Sequence, residues 1–119
     1  MHIESIREYC LQKPGTTEGF PFDEDTLVFK VMGKMFALVS LEDNDRVNLK
    51  CDPTYALELR EKYPEDIIEG WHMNKKHWNT VYFHNVPDRL LKHLINHSYE
   101  RVVSGLKKAD REKLKGMGE

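Results

Sequence analysis

Cysteine is scarce in this chain: Cys10 and Cys51 are the only two among 119 residues. A secreted domain held by disulfides would carry more, at regular spacings, so both are expected as reduced, packed thiols. No apolar run approaches the roughly 20 residues that a helical membrane span needs. The first ten residues interleave Glu4, Arg7 and Glu8 with single apolar positions and contain no secretory h-region. The expectation is a cytoplasmic protein without membrane contact. The seven glycines are scattered, and neither the dinucleotide fingerprint nor the P-loop pattern occurs. Charge of one sign is also missing. A net charge of −2 argues, by itself, against an obligate polyanion binder.

What is present suits one domain with one modest core: 39% of residues are hydrophobic and 32% charged. The charge is uneven. Residues 1–69 hold 8 Lys/Arg and 15 Asp/Glu, a net −7, whereas residues 70–119 hold 10 and 5, a net +5. This asymmetry fits either a basic face for a polyanion or a mixed surface with a Lys-rich tail.

Ile3, Ile6, Cys10 and Leu11 fall at helical spacing, so residues 2–12 read as an amphipathic helix ended by Pro14-Gly15. The segment Gly19-Phe20-Pro21-Phe22-Asp23 is too broken to read as a clear strand, and its aromatics are expected to pin a loop or an edge to the core. From Thr26 the period becomes two. Strands are predicted from Thr26, over Met35–Leu41 and over Arg46–Lys50, joined by short turns as an antiparallel meander. Asp52-Pro53 is a helix start, with Asp as N-cap, and that helix runs to Tyr63. Ile67-Ile68 and His77–Phe83 are extended, and Pro87 opens the longest helix, to about Ser104. The resulting class is α+β, order α-β(3)-α-β(2)-α. One antiparallel five-stranded sheet carries the helices mainly on one face. Residues 1–105 form the domain, and residues 106–119 a basic tail, frayed or as a short exposed helix. Leu27, Phe29, Phe36, Leu38, Leu49, Leu59, Trp78, Leu91, Leu94 and Val102 are the expected core.

Chemistry is sparse. His93 and His97 share a helix face, as two metal ligands must, but no third ligand accompanies them and no metal is assigned. Asp23-Glu24-Asp25 and Glu42-Asp43-Asp45 read as polar turns rather than cation sites. Cys51 has Lys50 beside it and a helix start nearby, features that can activate a thiol, yet the position suits a buried cysteine. No catalytic residue and no cofactor is assigned. One stretch stands apart. Between Gly70 and Thr80 lie Trp71, His72, Asn74, Lys75, Lys76, His77, Trp78 and Asn79. Lysines neutralise phosphates, asparagines read base edges, and indoles stack on bases. Equally, both tryptophans can be core residues, with the polar groups satisfying a turn.

His72-Met73-Asn74-Lys75-Lys76-His77-Trp78-Asn79-Thr80 resembles the signature segment of the YjbR/MmcQ family. Thr26–Val31, Gly33–Leu38, Val47–Pro53, Tyr63-Pro64, Val86-Pro87 and His97-Ser98-Tyr99 are similar to further family segments in the same order, covering roughly residues 15–105. The resemblance implies a two-layer fold of the secretion-chaperone-like or CyaY-like kind and no enzymatic activity. It also implies DNA binding, suggested in the family by a double-wing presentation of sheet and loops. Three functions follow as expectations. The first is a DNA-binding monomer in which Lys50, Lys75 and Lys76 contact phosphate while Asn74, His77 and Asn79 reach sugar or base edges. The second is a chaperone-like adaptor for a protein partner. The third is cation binding through the acidic half.

Overall fold

A computed structural model describes residues 1–117. Helix α1 (Ile3–Leu11) opens with a capping box in which His2 Nδ1 accepts from the Ser5 N–H and Ser5 Oγ accepts from the His2 N–H. Strands β1 (Thr16–Gly19), β2 (Thr26–Val31), β3 (Lys34–Ser40) and β4 (Arg46–Lys50) follow. After α2 (Pro53–Lys62) come β5 (Ile67–Glu69), β6 (Trp78–Tyr82), α3 (Asp88–Ser104) and α4 (Lys108–Met117). The sheet runs β1-β2-β3-β4-β6-β5 with every neighbouring pair antiparallel.

The class is α+β as expected, but the sheet has six strands rather than five. The extra one is β1, whose Thr-Thr-Glu-Gly sequence has no apolar alternation and is half exposed. Its conformation comes from pairing along β2, a non-local cause that propensity cannot register. Of the two expectations for the basic tail, the short helix is the one found: residues 108–117 form α4, largely exposed, but Leu106 and Leu114 are buried in the main core. Residues 118–119 lie outside the described part of the chain.

Helix α3 lies across β2, β3 and β4, α1 against β1, and α2 against β5. Leu27, Phe29, Ala37, Val39, Val47, Leu49 and Val81 meet the helices on this side. A bulge opposite Phe29 and Lys30 lets the consecutive residues Phe36 and Ala37 both join that core. The β3–β4 ladder ends at Ala37 and Leu49, and Ser98 of α3 closes the gap. Its hydroxyl accepts from the Lys50 N–H at 2.8 Å and donates to the Phe36 carbonyl. The neighbouring residues act similarly. His97 Nε2 accepts from the Asp52 N–H, and Tyr99 donates its hydroxyl proton to the Pro14 carbonyl. The His-Ser-Tyr triplet therefore ties α3 to three other parts of the chain.

Among the described residues, the opposite face carries no helix. Val28, Leu38 and Trp78 form a small second cluster there, with Met35 and Met73 packed on it.

Candidate functional site on the helix-free face

Two loops flank this face: residues 20–25 between β1 and β2, and residues 70–77 between β5 and β6. The second is built with little freedom. Gly70 is buried against Trp78, and a Cβ at Gly70 would sit 2.7 Å from the Trp78 Cβ, so no larger residue fits. Its N–H donates to the Trp78 carbonyl. One step on, Trp71 is held at both backbone groups: its N–H donates to Thr80 Oγ1 at 2.9 Å, and its carbonyl accepts from Asn48 Nδ2. The Thr80 hydroxyl in turn donates to Asn48 Oδ1. His72 takes φ +59°, a left-handed conformation costly for a side chain with a Cβ, and its ring meets the Trp71 indole edge-on at 4.9 Å.

The candidate residues read from the sequence separate here. Asn74 is exposed but makes the turn: Oδ1 accepts from the Lys76 N–H, and its carbonyl accepts from the N–H groups of His77 and Trp78. Lys75 projects into solvent, its side chain 72% exposed, with Nζ 3.4 Å from Glu69 Oε2. Lys76 is exposed. His77 is half-buried, and its carbonyl accepts from the Cys51 N–H. Lys50, also half-buried, is the cross-strand partner of Trp78, so it borders the same corner of the sheet.

Asn79 does not belong with them. It is 2% exposed and points to the helix side, where Oδ1 accepts from Arg60 Nε at 2.7 Å and Nδ2 donates to the Ala56 carbonyl. A single position along a strand reverses the face, and Trp78 takes the open one. Arg60, which the sequence reading passed over, also donates to the carbonyls of Lys75 and Trp78. It anchors the loop from below. The two tryptophans divide likewise: Trp78 is buried, whereas Trp71 is 60% exposed.

The first loop corrects another expectation. Phe20 and Phe22 do not pin the segment to the core; they are 51% and 63% exposed. The loop is held instead by Asp23, whose carboxylate accepts from the N–H groups of Asp25 and Thr26 and from the Thr26 hydroxyl. These bonds, the Asp25 one foremost, keep the acid below the usual carboxylate range. Between Phe22 and the Trp71–Met73 stretch lies a groove of about 450 Å³ floored by Leu38 and Asn48. Asp43 and Arg46 line its far end, where Arg46 is engaged by Asp45 and Asp43.

Cys51 is buried, and burial together with Asp52 pushes its thiol up to about 11, so it stays protonated. Cys10 is free and buried as well. Among the described residues, no group of three or more His, Cys, Asp or Glu is arranged to hold a metal ion, and no helix is long and apolar enough to cross a membrane.

Comparison with known proteins gives the architecture its relatives. The YjbR family model matches residues 11–101. The uncharacterised protein YbdF of Escherichia coli O157:H7 is 40% identical over 114 residues, spanning 94% of this chain and 93% of that one. YjbR of Escherichia coli K12 is 34% identical over 116 residues, spanning 96% and 98%. Among solved structures, Deinococcus radiodurans protein DR2400, a DUF419 domain, superposes with a TM-score of 0.88 at 42% identity. That match covers 95% of this chain and 87% of that one. The chain belongs to the YjbR family.

Proposed function

We propose that this protein is a non-enzymatic DNA-binding module that contacts its ligand through the helix-free face. The observation that carries this reading is the placement of the Lys75 and Lys76 side chains in solvent beside an exposed indole. The loop that bears them is fixed by Asn48, Arg60 and Asn74. Cations borne on a fixed loop next to a π-face suit a polyanion whose bases can be approached. The ion pair of Lys75 with Glu69 is exposed on both sides and competes weakly with phosphate.

With Lys50, about three phosphates are within the module's means. Affinity for duplex DNA should then fall roughly 40-fold between 50 and 200 mM salt, from a slope near −0.9 per contact. Fluorescence-polarisation titrations at both salts, on the native protein and on the Lys75→Ala/Lys76→Ala variant, test this. The variant should bind more weakly across sequences, with a slope smaller by about two. Unchanged affinity and slope in a folded variant would exclude the site.

A second reading, a docking face for a protein segment, draws on the groove between Phe22 and Trp71. Its floor of Leu38 and Asn48 and its exposed aromatic walls are a surface that partners use.

A further inference from the structure

Seven phenylalanine and tryptophan side chains occur in the chain. Phe29, Phe36, Phe83 and Trp78 are buried, and the three that are exposed, Phe20, Phe22 and Trp71, all border the same face of the sheet. The depressions between them form an unbroken series. One, of about 330 Å³, lies between Lys30 and Phe20. The next, about 530 Å³, separates Phe20 from Phe22. The groove of about 450 Å³ runs from Phe22 to Trp71, and the last, about 530 Å³, runs from Trp71 to Lys75. Each aromatic is a ridge shared by two hollows, and a lysine stands at each end.

From this order we infer that the face is a track for single-stranded nucleic acid, with unpaired bases seated against Phe20, Phe22 and Trp71 and backbone phosphates met by Lys30 and Lys75. The inference rests on the DNA-binding reading and names its substrate class. Ring faces separated by base-sized hollows fit a sequence-tolerant stacking platform. In a duplex the bases are stacked on each other and present only their edges, so the phenyl and indole faces would find no partner. At the two ends Glu18 is taken up by Arg7 and the exposed Glu69–Lys75 pair yields readily to phosphate, so Lys30 and Lys75 can meet the backbone. In the central groove Arg46 is engaged by Asp43 and Asp45, and the other charged groups lining it are the carboxylates of Asp23 and Asp43. The same carboxylates can accept from exocyclic amino groups of bases that enter.

The test uses three fluorescein-labelled ligands: a thymidine decamer, an abasic strand of the same length and a ten-base-pair duplex. The native protein should hold the decamer at least tenfold more tightly than either of the others. This comparison needs no variant. In Phe22→Ala/Trp71→Ala, both changes at exposed positions, decamer binding should weaken about 5- to 150-fold per aromatic lost, the range of base–aromatic stacking. Abasic-strand binding should stay where it was. Equal affinity for decamer and duplex, with the aromatic variant unaffected, would overturn the single-strand track while leaving the DNA-binding reading intact. Failure of all three to bind would bring down that reading and this inference together. In that case, an apolar decapeptide retained by the native protein and released by the aromatic variant would assign the face to a protein partner.

Discussion

Replacing Asn79 with alanine separates a structural role for the signature segment from a ligand-binding one. Asn79 is 2% exposed, so water cannot take over its contacts. The variant leaves Arg60 Nε without the acceptor it meets at 2.7 Å, and a hydrogen bond from a charged donor contributes about 1.5–3 kcal/mol. The second bond, to the Ala56 carbonyl, is long at 3.4 Å and adds little. A loss of about 2–3 kcal/mol follows. For a chain of 119 residues, at about 2.1 cal/mol/K of unfolding entropy per residue, that lowers Tm by roughly 8–12 °C. Thermal unfolding followed by far-UV circular dichroism reads it directly. The Arg60→Met variant and the double variant complete a cycle, in which the pair should couple by about 1–2 kcal/mol because they share one bond. If Asn79→Ala melts within about 2 °C of the native protein, the buried bond is not what holds Asn79, and its removal from the interface was mistaken.

Two further outcomes follow from other parts of the fold. Leu114→Ala should destabilise the protein by about 2–3 kcal/mol in urea unfolding, because Leu114 is buried and packs over Gly15, where even a Cβ would stand 2.5 Å from its Cδ1; a loss under about 0.5 kcal/mol would return α4 to the status of a dispensable tail. His97 is held neutral, its pKa lowered from 6.5 chiefly by burial and then by Arg101 and His93, so the unfolded chain takes up the proton first as pH falls. Stability should be level above about pH 7 and decline as pH falls through 6.5, and His97→Gln, which keeps an acceptor for the Asp52 N–H without titrating, should flatten part of that decline in urea midpoints measured at several pH values.

Much of the architecture was legible where periodicity and punctuation act locally. Asp52-Pro53 does start α2, with Asp52 accepting from the Tyr55 N–H, and the long apolar stripe after Pro87 is α3. All ten residues named as core are buried. What alternation could not show is that they belong to two different layers. Leu38 and Trp78 lie on the helix-free face, whereas Phe36, two positions before Leu38, lies with the helices because the bulge breaks the period. Strand β1 was missed for a related reason: an edge strand of Thr, Glu and Gly is defined by its neighbour, not by its own side chains.

The candidate site was legible in place but not in composition, and the cause is the start of β6 at Trp78. Within a strand, face is decided by parity, so Trp78 and Thr80 join the open side while Asn79 turns to Arg60. Before the strand begins, parity has no authority, and turn geometry and side-chain anchors decide. Trp71 is exposed because Thr80 and Asn48 capture its backbone, not because of any pattern in residues 70–77. The same holds across the face. Pro21 bars a regular ladder between Phe20 and Phe22, so neither aromatic has a strand to fold it inward. Exposed rings on both loops thus arise where regular structure stops, and the conspicuous polar residues next to them serve mainly to hold those loops still. A motif rich in Asn, Lys and His reads like a binding surface, yet its asparagines build the platform. In the proposed interface the contacts fall to the lysines of that motif and to three exposed aromatics, of which Phe20 and Phe22 stand on the other loop.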